Sequence, residues 1–143
     1  MKPIAAILAT TLILSACATG KSYSTRAELQ NAPGSSVELV FQKPIKDVYP
    51  ALRDMTATCF ESKQVRTSGD RPDAGGKNGN ITIMTAPTIL QARILVTTKV
   101  ESTDAGDTRV TIYYSGEDAQ KGLIDRYRRW IDTGSTSCTT PQS

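Results

Sequence analysis

Beyond residue 36 the apolar positions change period several times, and each change marks an element. Val37, Leu39 and Phe41 alternate with Glu38, Val40 and Gln42, the period of a strand with one buried face. Lys43-Pro44 breaks the alternation. Val48, Leu52, Met55 and Cys59 then recur at spacings of 4, 3 and 4, which sets them on one helical stripe. Pro50 fits only in a first helical turn, so the pattern predicts a helix starting between Ile45 and Asp47. A weak edge strand is expected around Val65, followed by a turn-rich loop from Ser68 to Gly79. Ile81 to Ala86 reads as a strand and Pro87-Thr88 as a bend. Leu90, Ala92, Ile94, Val96, Thr98 and Val100 line one face of a long strand, with Gln91, Arg93, Leu95, Thr97 and Lys99 on the other. Asp104 to Asp107 supplies a hairpin turn, after which Val110, Ile112 and Tyr114 continue the buried face opposite Arg109, Thr111 and Tyr113. Ser115-Gly116-Glu117-Asp118 fits the [ST]-x-x-[DE] capping pattern. In the helix behind it Leu123, Ile124, Tyr127, Trp130 and Ile131 share one side, and Gly134 ends it.

The order is β-α-(β)-β-β-β-α. Alternating strands argue an antiparallel sheet with one buried face, and two amphipathic helices are available to cover it. The predicted fold is a two-layer α+β sandwich over residues 36–143, with four to five strands and both helices on one face. The other face, with Arg93, Thr97, Lys99, Arg109 and Thr111, is too polar for a second sheet. Within it Arg93, Arg109 and Tyr113, beside Leu95, form a candidate partner-binding patch, since Tyr and Arg are enriched at interaction hot spots. The element order is similar to the helix-grip domains of the BamC type, found in outer-membrane lipoproteins of the β-barrel assembly machine. That resemblance is one of pattern and carries no function by itself, though helix-grip folds often hold a small apolar ligand between helix and sheet.

The chain's other apolar stretch, Ile4 to Leu14, follows Met1-Lys2. It is far shorter than the roughly 20 residues of a membrane-spanning helix and suits a secretory signal. Directly after it stands Leu14-Ser15-Ala16-Cys17, which resembles the bacterial lipobox L-[AS]-[GA]-C at all four positions. The resemblance implies removal of residues 1–16, a diacylglycerol on the Cys17 thiol, and often a further fatty acyl chain, such as palmitate, on the new amino group. Ala18 stands where an Asp would favour the inner membrane, so the implied address is the outer membrane, with the domain in the periplasm. Two or three acyl chains make a firm anchor. Residues 18–35 are small and polar, and a flexible tether is expected there.

With Cys17 acylated, Cys59 and Cys138 remain, and in an oxidising compartment they are expected to form a disulfide. A formal charge of +3 is too balanced to imply nucleic acid as a partner. The chain has no histidine, the commonest general base and metal ligand, so no metal or cofactor is expected. Gly75-Gly76-Lys77-Asn78 fails as a phosphate loop, because Arg71 and Asn78 occupy positions that need Gly and Ser or Thr. Asp70 and Asp73 lack the spacing of a calcium loop. Arg126, Arg128 and Arg129 read as a solvated helix face rather than a head-group site. The paired carboxylates fall in a turn and a helix cap, so no enzyme is expected. What remains is a lipid-anchored interaction module with an envelope protein partner; the alternative is a carrier of a small apolar ligand.

Overall fold

The computed structural model describes residues 22–32, 36–70, 72–85 and 92–139. Five strands, β1 (Ser36–Phe41), β2 (Val65–Gly69), β3 (Asn78–Thr85), β4 (Arg93–Ser102) and β5 (Thr108–Tyr114), form one antiparallel sheet in the order β1-β5-β4-β3-β2. Two long helices, α2 (Ile45–Phe60) and α3 (Glu117–Thr133), pack on one face, and a short one, α1 (Arg26–Gln30), precedes β1. The α+β sandwich expected from the alternation is the observed architecture. The weak edge strand around Val65 is present as β2.

The core lies between α2, α3 and the inner face of the sheet. Leu39, Phe41, Ile81, Ile83, Val96, Val100, Val110 and Ile112 meet Val48, Leu52, Leu123, Tyr127, Trp130 and Ile131 there. Tyr127 is fully buried, and its hydroxyl lies 3.0 Å from the Thr98 hydroxyl and 3.4 Å from that of Thr56. One polar bridge thus ties α3 to the central strand and to α2. Burial pushes the Tyr127 phenol above its ordinary pKa, because ionisation would strand a charge in the core.

Pro50 is the sixth residue of α2, not part of its first turn as its chemistry suggested. The helix tolerates it because the bond it forgoes would run to the carbonyl of Lys46, an exposed residue in the first turn, where water can satisfy that group. The loop expected from Ser68 to Gly79 is shorter, since β2 reaches Gly69 and β3 starts at Asn78. Tyr49, missing from the predicted stripe, explains this. Its ring packs so closely on Gly79 that a Cβ there would stand 2.5 Å from Cε2, and its hydroxyl donates to the carbonyl of Asp70. Ser115 does not cap α3; Gly116 holds the cap position without a side-chain bond. The Ser115 amide is instead spent on the ladder, donating to the Leu95 carbonyl at 2.9 Å. Gly134 ends α3 in the left-handed region at φ 66°, as its position predicted.

Residues 22–32 correct the expectation of a wholly flexible tether. Thr25 caps α1 in a reciprocal capping box: its hydroxyl accepts from the Glu28 amide, and the Glu28 carboxylate accepts from the Thr25 amide at 3.1 Å. The Ser24 amide donates to the same carboxylate at 2.8 Å, and these amide bonds from Ser24 and Thr25 hold the Glu28 carboxyl below its ordinary pKa. Leu29 is 0% exposed, yet stands outside the core cluster. It is buried on the other side of the sheet, where α1 lies against β4 and β5. The Ile94 amide donates to the Tyr23 carbonyl at 2.9 Å, and Arg26 pairs with Asp70. The outer face is therefore partly roofed. Residues 1–21 and 33–35, with the lipobox and the rest of the tether, lie outside the described residues, as do Pro87-Thr88 and Leu90.

Candidate functional site

The register between β3 and β4 slips by one residue: Ile83 pairs with Val96, but Met84 pairs with Ile94. Leu95 is the extra residue of a β-bulge, and a bulge inverts the face on which the preceding residues lie. Val96 stays with the inner face, Leu95 turns toward it, and Ile94 moves to the outer face beneath the Tyr23–α1 segment. Ile94 and Val96 therefore do not share a face, as the unbroken alternation of the sequence predicted.

That reversal opens a cleft. Cys59 and Phe60 at the end of α2, Val65 of β2, Ile83 of β3, Leu95 and Val96 of β4 and Leu123 of α3 surround a space of about 210 Å³. Among the described residues every lining side chain is apolar or a bonded cysteine. The guanidinium of Arg126 lies 4.9 Å from the centre of the Phe60 ring and fixes one wall by a cation–π contact. Cys59 and Cys138 stand at disulfide distance with their Cα atoms 5.2 Å apart, so the wall formed by the end of α2 is also tied to the tail behind α3. Trp130 donates to the Ser137 carbonyl at 2.8 Å, and Arg129 to that of Thr139, seating the same tail. A second hollow, about 190 Å³, lies toward the other end of α2 and is edged by Lys43 and Asp47.

The patch expected of Arg93, Arg109 and Tyr113 is not brought together. Arg109 and Tyr113 share the outer face of β5, where Arg109 lies 3.4 Å from the Glu38 carboxylate across β1. Arg93 is at the far end of β4, in register with Thr85 and on the opposite parity. Arg109 pairs with Glu101, eight residues along β4 from Arg93, a separation of about 25 Å at the rise of a strand. Leu95, expected beside them, lines the cleft on the other face. The hairpin register sets Arg93 and Arg109 at opposite ends of β4, and the bulge turns Leu95 to the other face. Cys17 lies outside the described residues.

Among the described residues no group of three His, Cys, Asp or Glu side chains could hold a metal ion. No helix among them is long and apolar enough to cross a membrane. No family model matches the chain, and no curated protein sequence matches it either. Among solved structures it is similar to protein CV1439 from Chromobacterium violaceum, with 13% identity and a TM-score of 0.33, over 76% of this chain and 99% of that one. A likeness at that level carries no functional argument.

Proposed function

We propose that this protein is a lipid-anchored interaction module of the bacterial envelope, held through acyl chains on Cys17 at the outer membrane with its domain in the periplasm. The cleft between α2, α3 and the sheet is its binding site, and an apolar side chain of an envelope protein is its occupant. The observation that carries the reading is the size and lining of the cleft. At about 210 Å³ it is smaller than the roughly 300–1,000 Å³ pockets that enclose drug-sized ligands. It exceeds the roughly 150 Å³ that suffices for a benzene ring. One Phe, Leu or Met side chain fits it; the paired acyl chains of a membrane lipid do not. Such a buried apolar anchor is the usual energetic centre of an interface.

The lipobox supports the anchoring half of the proposal. Replacing Cys17 with Ser should move the protein from the membrane to the soluble fraction; continued sedimentation with membranes would refute the anchor. For the cleft, a photo-crosslinking residue placed at Val65 in living cells should trap one discrete partner. The added substitution Leu95→Trp, which fills the cleft, should abolish that product without unfolding the domain. A crosslink that survives the filled cleft would place the partner elsewhere. The all-apolar lining also favours a second reading, a carrier of a small apolar ligand. Native mass spectrometry of the purified protein separates the two, since a carrier retains a small molecule that Leu95→Trp expels.

A further inference from the structure

Of the two edges of the sheet, β2 is the one whose charges complement themselves. The Asp70 amide donates to the Asn80 carbonyl at 2.9 Å. Bonded pairs recur at every second residue of an antiparallel ladder, so Ser68–Thr82 and Arg66–Met84 are the next ones along β2. Thr67 and Gly69 therefore aim their N–H and C=O groups away from β3. Val65 has the same parity, and the turn before it occupies both of its groups. The Ser62 amide donates to the Val65 carbonyl at 3.0 Å, and the Val65 amide to the Ser62 hydroxyl at 3.1 Å. Among the described residues nothing bonds the four outward groups of Thr67 and Gly69. Val65 lines the cleft and a Cβ on Gly69 would meet Tyr49 and Arg53, so Arg66, Ser68 and Asp70 lie on the face away from α2. All three are exposed there, and the β3 residues paired with Arg66 and Ser68 carry no charge.

One cation and one anion thus stand two residues either side of Ser68. A two-fold axis through Ser68 runs two such edges antiparallel. Thr67 of each copy then faces Gly69 of the other, which closes four backbone hydrogen bonds. Each Arg66 faces the other copy's Asp70, whose carboxylate already takes Arg26 and keeps lone pairs for a second guanidinium. Arg53, above Gly69, brings no unmatched charge, because its guanidinium lies 2.7 Å from the Asp54 carboxylate. β1 has no such complementarity: Glu38 is its single charged residue, and it stands beside Arg109. We infer that β2 is a self-association edge, and that the partner it fits is a second copy of this chain, paired antiparallel about Ser68. The inference goes beyond the anchored module proposed above and depends on neither the anchor nor the occupant of the cleft. It joins two sheets into one and sets both clefts on the same face, their Val65 walls six strand positions, about 20 Å, apart.

The test uses the purified full-length protein with a photo-crosslinking residue in place of Ser68. Irradiation should give a product of twice the chain mass, with the crosslink mapped to residues 66–70 of a second copy. The same residue at Gln42, just past β1, should give none. Arg66→Asp alone, or Asp70→Arg alone, sets like charges opposite each other and should cut the yield at least about tenfold. Mixed in equal amounts, the two variants present each Asp to an Arg, and the yield should return. That recovery shows both variants to be folded. So does a melting temperature within about 4 °C of the parent's, since an exposed pair such as Arg26–Asp70 contributes under about 1 kcal/mol. No doubled product, a product indifferent to the single reversals, or a mixture no better than its components would overturn the self-association edge. A crosslink mapped to any other part of the second copy would do the same.

Discussion

Thr82 and Thr97 face each other across the ladder between β3 and β4, both buried, and neither hydroxyl has a hydrogen-bond partner among the described residues. A buried hydroxyl left unpaired costs about 1–3 kcal/mol, while Val keeps the shape without the polar atom. Thr82→Val with Thr97→Val should therefore raise stability by about 1 kcal/mol, seen as a higher urea midpoint at unchanged slope. A lower midpoint would mean that these hydroxyls are satisfied in solution. Tyr127 is the opposite case, since both its neighbours depend on it. Tyr127→Phe should cost about 1–2 kcal/mol by stranding the Thr56 and Thr98 hydroxyls. It should also alter the alkaline limb of stability. The phenol's folded pKa is raised above 10.0, so its contribution is complete below about pH 10 and is lost as pH rises through the folded value. Thermal melts from pH 8 to 11 should show a shallower alkaline decline in the variant.

At the scale of elements, α1 and the bulge decide what each face of the sheet offers. Leu29 is the single fully buried residue of α1, so Leu29→Ala should release it. Exchange of the Ile94 amide, bonded to Tyr23, should then rise by about tenfold or more, while amides in the middle of β5 change much less. Equal acceleration at both places would show that α1 belongs to the global unfolding unit. The strands and both long helices were legible because periods of 2 and 3.6 persist over many residues. α1 was not, because five residues with one apolar anchor carry no period; the signal present was Thr25-Arg26-Ala27-Glu28, a capping box in a segment otherwise read as coil. The bulge left no trace at all. Ile94 to Val100 alternates without interruption, and only pairing with β3 shows that Leu95 is the extra residue. The candidate patch failed because the hairpin after β4 sets Arg109 beside Glu101, far from Arg93, and because the bulge turns Leu95 to the other face, while the pairing of Cys59 with Cys138 was reachable by counting cysteines.

For the whole molecule, the Cys59–Cys138 pair spans 79 residues and joins the end of α2 to the tail that follows α3. A bridge across such a span contributes about 4.5 kcal/mol in the chain-entropy model, a large share of the 5–15 kcal/mol typical of a domain. Reduction, or Cys59→Ser with Cys138→Ser, should lower the melting temperature by more than 10 °C. A shift of a degree or two would mean that the tail is held by Trp130 and Arg129 alone. The span also imposes an order of events. A chain synthesised N-terminus first presents residue 59 early, but its bonding partner emerges only after β2, β3, β4, β5 and α3 have all followed. No second thiol lies between the two. The bond thus works as a seal of completion: it cannot fasten a half-made domain, and a chain that stops short of residue 138 stays open to proteolysis.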